Sequence, residues 1–179
     1  MAKNHSPSSP GITDEGGASK PMVEQRRRGP DSLAPQLPSG VVVRRATRKD
    51  ARKFHAICSA LDRWIDEWTD ASLVYVAVRG EEVVAGAREW ITSDGRSTIV
   101  DVWVKEDERG ARLGHAVMRH MIDAVSAEEV YIDCVPSLEA YYAELGFKKI
   151  DRSLTPDILE PDELPGSIVM ILSKSGSDV

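Results

Sequence analysis

An α+β fold is what this chain predicts, on three observations. Composition breaks near residue 40 of 179, leaving a stretch long enough for one domain with its own core. Within that stretch, short apolar runs are punctuated by Gly-containing turns of hairpin type. Between them lie longer segments whose apolar residues recur at helical spacing.

Residues 1–40 contain 17 Gly, Pro or Ser and none of the ten aromatics. Such a segment buries too little apolar surface to offset its ordering entropy, so it is expected to be disordered, with the domain over 41–179. The cluster Arg26-Arg27-Arg28 reads as a solvated part of that tail. With five basic and four acidic residues the tail is +1, so residues 41–179 carry −7 of the chain's net −6. An acidic domain argues against nucleic acid as a partner and favours a cationic or amine ligand. No stretch has the apolar core of a signal peptide or approaches a membrane span, so no membrane is expected. Cys58 and Cys134 stand 76 residues apart, with no C-x-x-C and no His spacing for a metal. They read as buried free thiols, which implies a reducing, cytoplasmic setting.

The elements follow in order. Val41–Arg45 is a short strand. Thr47 and Asp50 form a capping box that opens a helix, with Phe54, Ile57, Cys58, Leu61, Trp64, Ile65 and Trp68 at helical spacing. Leu73–Val78 and Val83–Thr92 flank the turn Arg79-Gly80-Glu81-Glu82 and form a hairpin. Asp94-Gly95 is the strongest hairpin turn of the chain and leads into Thr98–Val104. In the next helix Leu113, Ala116, Val117, Met121 and Ala124 form one stripe, and Met118 and Ile122 add a second. Apolar residues on two sides predict a helix well packed against the sheet. Glu129–Cys134 is a strand, Leu138–Glu144 a short helix, Phe147–Ile150 a strand and Ser167–Leu172 the last strand. The connection 151–166, with five acidic residues and three prolines, reads as a solvated surface loop.

The strand that ends at Val104 passes through a charged turn holding Arg109 and Gly110 straight into the helix that opens at Leu113. The first amides of a helix have no intrahelical partner, and the helix dipole adds partial positive charge there. A glycine in the turn lets backbone approach a ligand closely. Strand, Gly turn and helix therefore make a site for a pyrophosphate.

About 30 residues on, Ala140, Tyr142, Gly146 and Phe147 stand in the pattern Ala-x-Tyr-x-x-x-Gly-Phe. Together with Arg109-Gly110-Ala111-Arg112-Leu113-Gly114, this resembles the GNAT superfamily of acyl-CoA-dependent N-acyltransferases over roughly residues 41–173. The family's loop reads Arg/Gln-x-x-Gly-x-Gly/Ala, so Arg112 stands where its middle glycine belongs. An arginine beside a pyrophosphate is electrostatically reasonable, and a weakened or repurposed site is the other reading. The resemblance implies a three-layer, mixed and mostly antiparallel sheet of six to seven strands flanked by about four helices. It implies acetyl-CoA as co-substrate, no metal, and a small-molecule or peptide amine as acceptor. A homodimer is a common state in the family.

The resemblance also implies roles. The cofactor would meet Val102, Trp103 and Val104 of the strand, then Arg109, Gly110, Ala111, Arg112, Leu113, Gly114 and His115. Backbone amides of the Val102–Val104 segment would polarise the thioester carbonyl. Tyr142 occupies the position of the family's tyrosine general acid; a phenol near pKa 10 is protonated at neutral pH and suits a thiol of about 8.5. Leu138, Tyr141, Tyr142 and Leu145 also share one helical stripe, so packing is the competing role. For the base, Asp101 lies inside an apolar strand, where a charge is costly unless paired or used. Pairing with an arginine such as Arg88 across the hairpin is the alternative, and Glu89 is a second candidate. His115 and His120 are not expected to be catalysts. Trp90 and Trp103 would wall an acceptor pocket or fill core. The function predicted is direct transfer of acetyl to a primary amine in a ternary complex. A catalytically degenerate acyl-CoA-binding or interaction module of the same fold is the alternative.

Overall fold

The computed structural model describes residues 37–61, 73–92, 95–154 and 166–174. The first strand, β1 (Val41–Arg45), is followed by α1 (Arg48–Ala60). The expected capping box opens α1: the Asp50 N–H donates to Thr47 Oγ1 at 3.3 Å, and the Thr47 N–H donates to Asp50 Oδ2 at 2.8 Å. Two otherwise unpaired helix-start donors are thereby satisfied. Phe54 and Cys58 are buried as the spacing predicts, whereas Leu61, at the C-cap, is half exposed. Trp64, Ile65 and Trp68, the rest of that stripe, lie outside the described residues, as does most of the expected tail. Leu37, within the predicted tail, already packs against the core.

Both expected hairpins form, although Asp94 of the second turn lies outside the described residues. β2 (Val74–Arg79), β3 (Glu82–Ile91) and β4 (Ser97–Val104) are joined antiparallel. Then come α2 (Leu113–Ala124), β5 (Glu129–Cys134), α3 (Glu139–Glu144) behind a 3-10 turn at Pro136–Leu138, β6 (Lys148–Ile150) and β7 (Ile168–Ser173). The sheet has seven strands in the order β1-β2-β3-β4-β5-β7-β6. Every neighbouring pair is antiparallel except β4 with β5. This is the mixed, mostly antiparallel sheet anticipated, with three α-helices among the described residues rather than about four.

Strand alternation sorts the core onto two faces. One face meets α2: Leu113, Val117, Met118 and Met121 pack with Val84, Ala87, Ile99, Val130 and Ile132. Both predicted stripes of α2 are used, except that Ala124 at its last turn is exposed. The other face meets α1, where Phe54 and Cys58 pack with Val74, Val76, Val78 and Val83. Gly86 of β3 is needed there for space. A Cβ on it would sit 2.5 Å from the Phe54 ring, so any side chain would displace a fully buried aromatic. Burying such a ring contributes about 1.5–3 kcal/mol.

Candidate active site

The site begins where the sheet opens. β4 and β5 pair only at Ser97↔Val130 and Thr98↔Tyr131, although β4 runs on to Val104 and β5 to Cys134. Beyond those two pairs the strands part. The cause lies in β4: Asp101 has φ 56°, and the register with β3 slips opposite Gly86–Arg88. A bulge of this kind twists a strand and turns it from its neighbour. A left-handed non-glycine residue also costs about 1–2 kcal/mol, so the surroundings must hold it.

Arg88 does the holding. Its Nε donates to Asp101 Oδ2 at 3.0 Å, and both side chains are 8% exposed. The sequence left two readings of Asp101, and the structure shows the ion pair across the hairpin. Glu89, the second candidate base, accepts from Ser97 Oγ at 2.7 Å. Both candidate bases are therefore engaged.

At the end of β4 the Lys105 N–H donates to Val84 O at 2.9 Å on β3. By strand alternation the Val104 N–H points the opposite way, toward the edge that β5 has left. Next comes the turn. Arg109 and Gly110 are exposed, and Gly110 has φ 82° with nothing near the place of its missing Cβ. Arg112 occupies the N-cap of α2 with φ 58° and provides no side-chain cap. A left-handed backbone there is the physical reason the motif favours glycine at this position. The first helical hydrogen bond of α2 runs from the Ala116 N–H to Arg112 O at 3.0 Å, leaving the preceding amides at a bare helix N-terminus.

The other loop residues divide. Leu113 puts its side chain in the core, and Ala111 packs against it, so both would serve a ligand through backbone. Gly114 is buried under β4 and α3: a Cβ would lie 3.1 Å from Val104 Cγ2 and 3.0 Å from Tyr141 Oη. His115 stands edge-on to Tyr141, ring centroids 5.5 Å apart. Burial, then the Arg112 and Arg119 charges, hold its imidazole below the usual pKa, so it is neutral at pH 7. The Trp103 side chain turns away from this group. It packs on the α1 side and lines a recess of about 730 Å³ with Ile57, Val83, Lys53 and Lys105, which none of residues 109–115 lines.

Tyr142 is 4% exposed within the α2-side core, its ring perpendicular to Tyr141 at 4.9 Å and to Phe147 at 6.1 Å. Tyr141, expected only to pack, brings its hydroxyl against the first turn of α2. Burial, then the Glu144 charge, push its phenol up to about 12, so it stays protonated. Arg112 Nη2 lies 3.6 Å from Glu144 Oε2, tying the loop loosely to α3. Sequence reading missed Tyr141 because its stripe position is shared with Leu138 and Leu145. The αL backbone of Arg112 was the signal that a motif glycine had been replaced in place.

On the α1 side of the opening, polar groups accumulate. Arg152 Nη2 donates to Asp133 Oδ2 at 3.0 Å and also bonds to Ser167 Oγ. Asp133 Oδ1 and Thr98 Oγ1 are buried without a hydrogen-bond partner. No group of His, Cys, Asp and Glu among the described residues is arranged to hold a metal ion.

The family model for the GNAT acetyltransferases matches residues 43–147, more than half of the chain. Solved structures share the fold at low identity. Escherichia coli ElaA is 16% identical, with 74% of this chain and 99% of that one covered and a TM-score of 0.57. An acyl-CoA N-acyltransferase from Pseudomonas aeruginosa is 21% identical, covering 74% and 98%, with a TM-score of 0.52. N-acetylglutamate synthase from Neisseria gonorrhoeae, solved with coenzyme A and N-acetyl-glutamate, is 14% identical, covering 76% of this chain and 35% of that one, with a TM-score of 0.58. A search of curated proteins returns no match. With both motifs in place around an opened parallel strand pair, the chain belongs to the GNAT family of acetyltransferases.

Proposed function

We propose that this protein is an N-acetyltransferase that moves acetyl from acetyl-CoA to a primary amine by direct attack in a ternary complex. The observation that carries the reading is the parting of β4 from β5 immediately before the Arg109–Gly114 turn. An extended thioester arm fits that opening, with its diphosphate at the α2 amides, where Gly110 leaves open space. The Val104 amide, aimed at the open edge, would receive the thioester oxygen, and a preset donor there stabilises the charge that develops as the amine attacks.

Tyr142 is the proposed proton donor to the departing thiolate, with Tyr141 supporting it at the loop. Asp101, held by Arg88, would accept the amine proton only by leaving that pair, directly or through water; its constant service is to fix the bulge. An acceptor with an α-amine near pKa 8 loses its proton at a cost of only about 1.4 kcal/mol at pH 7, against roughly 4.6 kcal/mol for a lysine-type amine. Weak base assistance is therefore sufficient for the first class. A cysteinyl intermediate is not needed and is disfavoured at Cys134, whose thiol burial pushes up to about 11. Cys58 and Cys134 are both buried thiols outside any disulfide, which suits a cytoplasmic site of action. No helix of the described residues is long and apolar enough to cross a membrane.

The test is calorimetric titration with acetyl-CoA followed by thiol release in the presence of primary amines. Micromolar binding and amine-dependent release are expected. Binding with no release for any amine would replace this reading with that of an acyl-CoA-binding module.

A further inference from the structure

The two buried side-chain atoms without hydrogen-bond partners among the described residues, Thr98 Oγ1 and Asp133 Oδ1, lie on the two strands that part. Register places them on one face. Thr98 is opposite Tyr131, and Tyr131 and Val169 share a small cluster; Asp133 is opposite Val169 on β7. Through Trp90↔Thr98 and Arg88↔Val74 that face continues to the α1 side of the sheet. Tyr142 and α2 occupy the other side. Thr98 sits at the vertex of the opening, and Asp133 stands two residues past it along β5.

We propose that Asp133 and Thr98 form the acceptor-amine site, which receives a cationic primary amine as its ammonium on Asp133 Oδ1. The inference rests on the acyl-transfer reading above and adds to it which face the acceptor enters and what holds it. A buried carboxylate oxygen without a donor is costly, and a hydroxyl likewise, so sites of this kind persist where a ligand completes them. Arg152 holds Oδ2 at 3.0 Å, which fixes the carboxylate and leaves Oδ1 as the oxygen for the amine. An ammonium carries several N–H donors, enough to serve both Oδ1 and the Thr98 oxygen. Once the ammonium has given up one proton, to Asp101 directly or through water as above, the neutral nitrogen meets the opening from the side opposite Tyr142. The attacking group and the proton donor for the leaving group are thereby separated by the plane of the sheet.

The test uses the full chain, acetyl-CoA, and spermidine, lysinamide and an unblocked dipeptide amide as amine probes, read by thiol release. Asp133→Asn keeps the shape but removes the charge, and its KM for the amine should rise about ten- to a hundredfold, with kcat falling less than KM rises. Acetyl-CoA affinity by calorimetry should stay within twofold. Thr98→Val removes an unpaired buried hydroxyl, so its Tm should hold or rise while the amine KM increases about threefold or more. A merely structural role would shift Tm and leave KM alone. Should Asp133→Asn fail to fold, Thr98→Val still decides the question. Unchanged KM in active variants would overturn the acceptor site and leave acyl transfer standing. Acetyl-CoA binding with none of the probes acetylated by the parent protein would overturn both.

Discussion

The two faces of the sheet at the β4–β5 opening are built on different principles. The α2 face is largely apolar, filled by Leu113, Val117, Met118, Met121 and Tyr142, and apart from the two tyrosine hydroxyls what it offers a ligand is backbone: the Val104 edge and the bare start of α2. The α1 face carries side-chain chemistry, with the pairs Arg88–Asp101 and Arg152–Asp133 and two unpartnered oxygens. Backbone donors serve any ligand with the same phosphates, so a short motif describes them. Side-chain pairs assembled from distant strands can be re-set for one acceptor. The difference teaches where generality and specificity reside in this molecule.

The largest test of the contrast is on the α1 face. Arg88→Met leaves Asp101 buried and unpaired, and should cost about 3–5 kcal/mol in urea unfolding. The double variant Arg88→Met/Asp101→Asn should recover most of that loss, since no charge is stranded. A single variant as stable as the parent would show that the pair does not hold the bulge. On the α2 face, Tyr142→Phe should lower kcat about 100-fold while acetyl-CoA affinity changes less than twofold. Weaker binding at unchanged turnover would assign Tyr142 to packing instead.

Smaller effects probe the junctions. Arg112→Gly relieves a left-handed backbone worth about 1–2 kcal/mol and gives up an exposed ion pair worth at most about 1 kcal/mol. Thermal unfolding should therefore shift slightly upward, with acetyl-CoA binding intact or tighter. A lost affinity would make the arginine itself a phosphate ligand. The smallest effect concerns Asp50 at the start of α1. Burial works to raise its pKa, but hydrogen bonds from Thr47 and Arg44 outweigh it and hold the carboxyl below its ordinary 3.8. Its folded pKa is depressed, so its contribution is present above pH 3.8 and is lost as pH falls through the lower folded value. The stability gap between the parent and Asp50→Asn should accordingly be constant near neutrality and close in acid.

What was legible in the sequence follows the same division. The capping box, both hairpins and the two stripes of α2 are encoded within a few residues of one another, and each formed where expected. The loop stood out as arginine and glycine at fixed spacing between a strand and a helix, a pattern that turn geometry alone also produces; its use for a diphosphate belongs to the proposal. Asp101 was visible as a charge in an apolar strand, but its partner Arg88 lies 13 residues away across a hairpin, so pattern alone left it open. Asp133 was not singled out as a site residue. Its significance comes from Arg152, 19 residues on, and from a register that only the folded sheet defines. Trp103 was grouped with Val102 and Val104 by adjacency. The bulge at Asp101 reverses the alternation, which sends Trp103 to the α1 side with Phe54.

The short parallel seam has one more consequence. An antiparallel block of β1 to β4 and another of β5, β7 and β6 meet through two residue pairs, with α2 packed mainly on the first block. Amide protons along the far half of β4 should then exchange with solvent unevenly: that of Lys105, bonded to β3, slowly, and that of Val104 quickly for so central a strand. A ligand that bonds to the open edge would slow the second without touching the first. The interior of this sheet thus contains its own sensor of occupancy, one residue wide.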